Sequence, residues 1–335
     1  MIAMCKRVLL IVLFFLRLIS IATPYPVCVD STFKSNDSCI VFATTRSVHL
    51  RGREFVFENA IAKDQSLRFY NIYFNGNDMK IAPRRTLEEA MHNANISSDF
   101  IVYTEGHGKL FNDNVTRSIH ISRAYAVSVI MFDWPSKVPG LAIEKNFHTS
   151  VRNAKSVAKQ FNELILQLSD YKKNRGREKI GRLSMFFHSM GNYVLLSTLK
   201  KYGSSKYDPN LVENIIVNAP CVPSRGHDKL LEQLCFQKNI YVMYNKKDPA
   251  LKGATYLLGR FILGSRPTRH LARNAKYFNM KEVARVSHNC FLGKSILTMH
   301  PEIKDIYTDL FHSRPLDTNA VCIENTGEAN NYCIL

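Results

Sequence analysis

The sequence predicts a doubly wound α/β fold with a mostly parallel sheet in a single domain. Short apolar runs of strand length alternate along the chain with longer segments of helical periodicity. Strands that are apolar throughout are typical of a parallel sheet with helices on both faces. The chain has 335 residues, of which 46% are hydrophobic, and this is enough for a sizeable core.

Seven segments are predicted as strands, because they are apolar or alternate in polarity and end at polar or turn residues. They are Cys39–Thr45, Arg68–Phe74, Asp99–Thr104, Ala126–Phe132, Leu183–Phe187, Val212–Val217 and Asn239–Tyr244.

Helices are predicted between the strands at 113–125, 147–168, 191–201, 228–233 and 250–263, with a closing helix at 303–310. The longest, Phe147 to Leu168, has apolar residues at helical spacing: Val151, Ala154, Val157, Ala158, Phe161 and Leu164. We therefore expect the α/β domain to span residues 38–313, followed by a polar, flexible tail over 314–335.

The N-terminus has the pattern of an export signal over residues 1–22. Lys6 and Arg7 precede an apolar stretch from Val8 to Ala22, which ends in small residues. The stretch is short for a membrane span and Arg17 interrupts it. We expect export to the periplasm or the medium, with an uncleaved membrane anchor as the alternative.

The chain is basic, with a formal net charge of +17. Such a charge favours acidic partners, so an anionic membrane surface is a candidate partner. A nucleic-acid partner is not indicated, because the densest basic run, Lys172 to Lys179, has no aromatic side chains on which bases could stack. The oligomeric state is not indicated either.

Cysteine and histidine spacing predicts neither a metal site nor a cofactor, since the chain has no C-x-x-C pair. In an oxidising compartment, Cys28 with Cys39 and Cys322 with Cys333 are the easiest local disulfides.

Ser189 is the candidate nucleophile. It lies in His188-Ser-Met-Gly-Asn192, between a predicted strand and a predicted helix, where a sharp turn would hold its hydroxyl out of the sheet. The usual pattern of this turn is G-x-S-x-G, but Phe187 stands two residues before the serine. We expect a local shift or a phenyl ring directed away from the adjacent strand. The alternative role for Ser189 is an ordinary helix N-cap.

Asp248 and His288 follow Ser189 in the order serine, acid, histidine that this type of fold uses. Asp248 comes just after a predicted strand and would orient His288, which would take the Ser189 proton. The alternatives are a turn residue for Asp248 and a surface or helix-start residue for His288. Backbone N–H groups of Met190 and of Gly106 or His107 would form the oxyanion hole; the His107 side chain could contact substrate instead.

These segments resemble a bacterial branch of the α/β-hydrolase superfamily, described as esterases or lipases of unknown function. The resembling segments appear in family order over roughly residues 38–313: Val41–Arg46, Tyr103–Gly108, Phe132–Ser136, His188–Asn192, Tyr244–Asp248 and Ser287–Asn289. The resemblance implies a Ser189–Asp248–His288 hydrolase, and implies that Phe187 is tolerated.

Two positions depart from the pattern that the resemblance implies. Glu105-Gly106 stands where the family has His-Gly, and Cys221 stands where it often has an aspartate. Glu105 puts an acid beside a site that must stabilise negative charge. Low activity is expected unless its carboxylate points away or pairs with a lysine.

Two functions follow from these observations. The first is a serine hydrolase that cleaves a small-molecule or lipid carboxylic ester through an acyl-enzyme, without a cofactor. The second is a catalytically weak or inactive binding protein of the same fold with a basic surface.

Overall fold

The computed structural model describes residues 27–28, 38–75, 78–96, 98–175, 181–319, 323–327 and 330–335. The predicted signal over 1–22 lies outside these ranges, so export stays a prediction. Within these ranges, every helix is too short or too polar to cross a bilayer.

The strands have the following bounds. In chain order they are β1 (Val27–Cys28), β2 (Ser38–Thr44), β3 (Arg46–Arg51), β4 (Glu54–Ile61), β5 (Arg68–Asn75), β6 (Asp78–Arg84), β7 (Phe100–Thr104), β8 (Ser128–Asp133), β9 (Leu183–His188), β10 (Val212–Asn218), β11 (Gln237–Tyr244), β12 (Lys276–Asn279), β13 (Ile323–Asn325) and β14 (Asn331–Ile334).

One large sheet carries the fold. Its strand order is β13-β14-β12-β11-β10-β9-β7-β8-β2-β5-β6. The eight strands from β14 to β2 run parallel, while β5 and β6 continue antiparallel at one edge and β13 pairs antiparallel at the other. A separate three-stranded sheet has the order β1-β4-β3. The predicted single-domain, mostly parallel α/β fold is confirmed.

The helices lie between the strands. They are α1 (Leu87–Asn93), α2 (Phe111–Tyr125), α3 (Ile143–Ser156), α4 (Ala158–Arg175), α5 (Asn192–Tyr202), α6 (His227–Leu231), α7 (Pro249–Leu258), α8 (Lys294–Met299) and α9 (Pro301–Phe311). Short 3-10 turns occupy Ser189–Gly191 and Cys290–Leu292.

A hydrophobic core fills each face of the large sheet. Successive strand residues point to opposite faces, so Phe186 and Phe187 of β9 belong to different cores. Phe186 packs edge-on against Phe311 of α9, with 5.0 Å between ring centroids. Phe187 packs edge-on against Phe161 of α4 at 5.4 Å.

The single helix predicted over 147–168 is wrong in one respect, because the chain forms two helices separated at Val157. The Ser156 hydroxyl donates to the carbonyl of Asn153, which also accepts from the Val157 N–H. This competition for one carbonyl weakens the helical ladder at that point. The predicted buried positions on both sides of the break are buried.

The prediction of a flexible tail over 314–335 is wrong where the structure describes it. β14 pairs in parallel with β12, and Ile334 is fully buried. Leu316 donates its N–H to the Tyr241 hydroxyl at 3.0 Å. The polar composition concealed a short edge strand, which the sheet stabilises through backbone hydrogen bonds.

Two of the predicted disulfide positions are free thiols. Cys39 and Cys333 are both unpaired, and the side chains of Cys28 and Cys322 lie outside what the structure describes. The described residues therefore contain neither predicted disulfide. Lys172, the first residue of the densest basic run, is buried in α4 and donates to the Leu211 carbonyl at 2.8 Å.

A fully buried ion pair joins Arg46, the first residue of β3, to Asp133, the last residue of β8. The Arg46 Nε lies 2.8 Å from Asp133 Oδ2, and both side chains are inaccessible to solvent. The same carboxylate accepts from the Thr44 hydroxyl at 2.6 Å and from the Asn114 amide at 2.7 Å. This network joins Val41–Arg46 to Phe132–Ser136, two of the segments that carry the sequence resemblance.

Asp133→Asn is expected to lower the free energy of unfolding by about 3–5 kcal/mol, because it leaves the buried Arg46 charge uncompensated. Urea denaturation measures this change. The control is Asp309→Asn, which breaks the exposed Arg314–Asp309 pair and should cost no more than about 1 kcal/mol. Equal losses of stability in the two variants would contradict the claim that Asp133 compensates a buried Arg46 charge.

Candidate active site

The predicted site residues come together at the carboxyl ends of the parallel strands. A cavity of about 1150 Å³ opens there, and Gly106, His107, Ser189 and His288 all line it. These residues follow β7, β9 and β12, which run in the same direction in the sheet. Asp248, which follows β11, is fully buried and bonded to His288.

Ser189 sits on a sharp turn between β9 and α5. Its φ angle is +52°, in the left-handed region that non-glycine residues adopt rarely. The Ser189 carbonyl accepts from the Cys221 N–H at 3.0 Å and from the Asn192 amide at 3.0 Å. The Asn192 amide also donates to the Phe187 carbonyl at 3.0 Å. These bonds hold the strained turn on both sides of the serine.

Two glycines allow the turn to pack closely against the loop after β7. A Cβ atom on Gly191 would lie 2.5 Å from the Thr104 carbonyl oxygen, and one on Gly106 would lie 2.7 Å from the Ser189 Cβ. The phenyl ring of Phe187 points away from this contact and packs against Phe161 of α4. Of the two expectations from the sequence, a local shift or a ring directed away, the structure has the second. The missing glycine before the serine is therefore accommodated.

The acid and the histidine form a direct hydrogen bond. The His288 Nδ1 lies 2.5 Å from Asp248 Oδ2. The other carboxylate oxygen of Asp248 accepts from the backbone N–H groups of Ala250 and Leu251 at 2.9 and 3.2 Å, which makes Asp248 the N-cap of α7. Pro249 at the first helical position fits this cap. One oxygen is thus fixed by the helix, and the other is directed at the imidazole.

A second contact fixes the loop that carries His288. The Asn245 amide donates to the Arg285 carbonyl at 2.8 Å, which joins the loops after β11 and β12. Arg285 has a φ angle of +47°, so the chain turns sharply three residues before His288.

The Glu105 carboxylate pairs with an arginine rather than with the lysine considered from the sequence. Its Oε2 lies 3.0 Å from the Arg117 Nε and accepts from the Tyr103 hydroxyl at 2.5 Å. Its Oε1 accepts from the Gly106 N–H at 2.7 Å. The Gly106 N–H, one of the predicted oxyanion donors, is therefore occupied. The neighbouring His107 N–H has no acceptor among the described residues.

The environment of Glu105 keeps it ionised. Burial by itself raises its pKa, but the Arg117 and Lys109 charges and the Tyr103 hydroxyl outweigh burial and lower the pKa from 4.5 to about 2. Arg117 also donates from Nη1 to the Asn289 side-chain oxygen at 3.1 Å. Asn289 adjoins His288, so Arg117 connects the loop after β7 with the histidine loop.

His188, directly before the serine, is a buried residue of the cavity wall and is neutral. Burial lowers its pKa well below the usual value, although Glu105 opposes this shift. The Tyr307 hydroxyl donates to the Asn218 oxygen at 2.5 Å, so the Asn218 amide nitrogen donates to His188 Nδ1 at 2.9 Å. The His188 proton is therefore on Nε2. Its ring centroid lies 4.8 Å from that of His288.

The His107 ring is fixed against α3. Its Nδ1 lies 2.9 Å from the Ser150 hydroxyl, which itself donates to a backbone carbonyl, that of Ser136 at 2.6 Å or Asn146 at 2.9 Å. The imidazole Nδ1 is thus the donor to Ser150. Burial lowers the His107 pKa to about 4, so the ring is neutral at neutral pH.

Several residues that shape the site were not predicted from the sequence. Arg117, His188, Asn218, Asn245 and Asn289 all make contacts described above. Arg117 could have been noticed from its place on a helix. It stands three residues after Asn114, on the face that the helix buries. Cys221, noted as a departure, lines the cavity, and burial, with Asp248 nearby, raises its pKa to about 12. No cluster suited to a metal ion occurs in the described part of the chain.

Arg117→Met is expected to lower the free energy of unfolding by about 3–5 kcal/mol, because the Glu105 charge would remain buried without its partner. The double variant Arg117→Met/Glu105→Gln should recover most of this loss. Urea denaturation measures both. Additive losses would show that the two side chains are not energetically coupled.

The Glu105 pKa also predicts a pH dependence of stability. A carboxyl group with a lowered pKa stabilises the folded state above its unfolded pKa and loses this effect as the pH falls through its folded pKa. Between pH 4.5 and about 2, the wild type should therefore lose about 3 kcal/mol more than Glu105→Gln. Denaturation at a series of pH values tests this, and parallel curves for the two proteins would contradict it.

The sequence matches the model of a known family. The family is described as "Alpha/beta hydrolase of unknown function (DUF900)", and the match covers residues 82–314. This range contains the loop after β7, the Ser189 turn, Asp248 and His288. No curated protein matches the sequence.

Two solved structures are similar to the chain. One is a protein from Agrobacterium vitis S4 described as a hydrolase, with 10% identity over 75% of this chain and 96% of that chain and a TM-score of 0.34. The other is the peroxisomal α/β-hydrolase Lpx1 from Saccharomyces cerevisiae, with 11% identity over 89% and 95% and a TM-score of 0.31. Both TM-scores are low, so the family assignment rests on the sequence match. The chain belongs to the family of α/β-hydrolases of unknown function.

Proposed function

We propose that this protein is a serine hydrolase that cleaves a carboxylic ester through an acyl-enzyme on Ser189. One observation carries the proposal. Ser189 stands in a left-handed conformation on a strand-to-helix turn, and it shares a cavity with His288, whose Nδ1 is bonded to the buried Asp248. A strained serine that shares a cavity with an oriented imidazole supports nucleophilic catalysis, which needs a base for the serine proton.

In the first step, the Ser189 oxygen attacks the ester carbonyl carbon as His288 Nε2 accepts the hydroxyl proton. The His288 Nδ1–H remains bonded to Asp248, which stabilises the imidazolium that forms. The imidazolium then protonates the leaving alcohol, and the acyl group stays on Ser189. A water molecule, deprotonated by His288, attacks the acyl carbon. The bond to the Ser189 oxygen then breaks, that oxygen takes the proton back from His288, and the acid leaves.

The negative oxygen of the tetrahedral intermediate needs N–H donors. Met190 stands in the first turn after Ser189, where N–H groups lack helical partners. Its nitrogen would lie 3.2 Å from a Cβ on Gly106, so it adjoins the loop after β7. The His107 N–H, which has no acceptor in the described structure, is the second donor in this proposal.

The occupied Gly106 N–H favours a second candidate, a weakly active or inactive binding protein with a basic surface. Its bond to Glu105 removes one donor that the oxyanion loop would otherwise offer. This protein would bind an ester or a similar ligand in the same cavity without turning it over. Covalent labelling of the serine separates the two candidates.

Wild-type protein is expected to react with a fluorophosphonate probe at Ser189 and to hydrolyse a short-chain p-nitrophenyl ester. Asp248→Asn and His288→Ala should each lower kcat/KM by about a thousandfold or more, because each removes part of the proton relay. Mass spectrometry of the labelled peptide and release of p-nitrophenolate measure these outcomes.

Matched controls are available on α3. Ser156→Ala removes an exposed serine and should leave labelling intact, whereas Ser189→Ala should abolish it. His148→Ala removes an exposed histidine outside the cavity and should leave turnover unchanged. If folded wild-type protein remains unlabelled, the serine hydrolase proposal is refuted and the binding-protein proposal remains.

A further inference from the structure

The chain from α7 to the loop before β12 is basic and lacks acids. Residues 249–269 include Lys252, Arg260, Arg266 and Arg269 but neither aspartate nor glutamate. All four basic residues are exposed, and none of them forms an ion pair with an acid of the described residues. An exposed surface with this much positive charge favours an anionic partner.

The two faces of α7 have different surroundings. Leu251, Ala254 and Leu257 line the cavity. Lys252 and Tyr256 are four residues apart, so they lie together on another face of the helix. Both are exposed there, and Tyr256 is 87% exposed. The helix that forms one wall of the cavity therefore presents a tyrosine and a lysine to the outside.

Phe261, just after α7, is held in an exposed position by a fixed backbone. Its carbonyl accepts from the Ser224 N–H at 2.8 Å, and the Leu263 N–H donates to the Val222 carbonyl at 2.9 Å. Ile262 between them is fully buried, whereas Phe261 is 64% exposed. Because the backbone is already ordered, a partner that buries this ring would have little chain entropy to offset.

Cations adjoin the Phe261 ring and extend as far as α3. The Arg266 guanidinium lies 5.6 Å from the centroid of that ring. Burial raises the pKa of Tyr193, and the charge of the nearby Arg260 opposes this rise. The exposed Lys155 of α3 places its ammonium 5.3 Å from the Tyr193 ring centroid. The positive surface thus continues from the loop after α7 to the end of α3.

We propose that these side chains form a docking surface for an anionic lipid bilayer. The docking surface consists of Lys155, Lys252, Tyr256, Arg260, Phe261 and Arg266. Its cations bind lipid phosphates, and its two aromatic rings enter the boundary between headgroups and acyl chains. A tyrosine suits this boundary because its ring is apolar and its hydroxyl stays hydrated. The inference does not use the triad, so it stands independently of the proposed hydrolase.

A single-stranded nucleic acid is the other anionic partner that basic and aromatic side chains can bind. Bases stack on open ring faces, but the Arg266 guanidinium already lies over the Phe261 ring. The cavity wall formed by α7 is apolar at Leu251 and Leu257. A bilayer, unlike a nucleic acid, contains ligands that suit such a wall. These contacts favour the bilayer.

Tryptophan fluorescence at position 261 tests insertion on the full-length protein. The chain has one tryptophan, the buried Trp134, so the wild type supplies the background. In Phe261→Trp, vesicles of phosphatidylglycerol and phosphatidylcholine should shift the added emission to shorter wavelength, and brominated phosphatidylcholine in the same vesicles should quench it. Vesicles of phosphatidylcholine alone should do neither. The matched control Leu50→Trp replaces a residue of β3 that is 61% exposed, and its emission should not respond.

Paired charge variants test the role of the cations. Arg260→Gln/Arg266→Gln should lower the partition onto phosphatidylglycerol vesicles about tenfold or more, since each cation at an anionic surface contributes about fivefold. Lys200→Gln/Lys201→Gln removes the same charge from exposed residues at the end of α5 and should stay within about twofold of the wild type. Vesicle sedimentation measures both, and the shared N-terminus cancels in the comparison.

Four results would overturn the inference. The added emission of Phe261→Trp could stay unquenched while the protein sediments with vesicles, which would assign binding to another part of the chain. Equal quenching by neutral and anionic vesicles, or equal partition of the two charge variants, would contradict the role of the cations. A single-stranded oligonucleotide that shifts this emission when anionic vesicles do not would assign the surface to nucleic acid.

Discussion

A carboxylate buried at the rim of a binding cavity is stable only when a cation and hydrogen-bond donors are held against it. Glu105 meets this requirement through Arg117, the Tyr103 hydroxyl and the Gly106 N–H. Arg117 in turn bonds to Asn289, next to His288. The constraint on one buried charge therefore fixes the position of the loop after β7 relative to the histidine loop, and both loops form the wall of the cavity around Ser189.

The Glu105 pair also changes how the site can stabilise an oxyanion. An unpaired acid would oppose negative charge beside Ser189, but here the adjacent guanidinium neutralises it. The cost is that the Gly106 N–H faces Glu105 instead of the cavity. In our proposal, the donors shift by one residue to His107, while Met190 keeps its role. The loop thus tolerates an acid at a position where the sequence resemblance implies a histidine.

The main parts of the site could be predicted because they follow from local patterns. Continuous apolar strands indicated the parallel sheet, and polar residues directly after those strands, such as Ser189 and Asp248, had to meet at one edge. Residues that act by joining distant parts of the chain do not stand at strand ends, so this pattern does not reveal them. Arg117 lies on a helix, and its function depends on Glu105 and Asn289, which only the folded chain brings near it.

Other errors have different physical causes. The edge strand β14 is stabilised by pairing with β12 rather than by its own composition, so the polar sequence around it suggested a flexible tail. The break at Val157 depends on a serine hydroxyl that competes for a helical carbonyl, which hydrophobic periodicity does not detect. The hairpin of β3 and β4 was also missed, although Phe55 and Phe57 alternate as in a strand with one buried face.

A crystal structure of the protein after reaction with a phosphonate ester would test the central claim most directly, because the phosphonyl oxygen occupies the place of the oxyanion. Our account predicts phosphorus on Ser189 Oγ, its oxygen about 2.7–3.1 Å from the N–H groups of His107 and Met190, and Glu105 still paired with Arg117. A phosphonyl oxygen directed into solvent, or an adduct on any other residue, would contradict it.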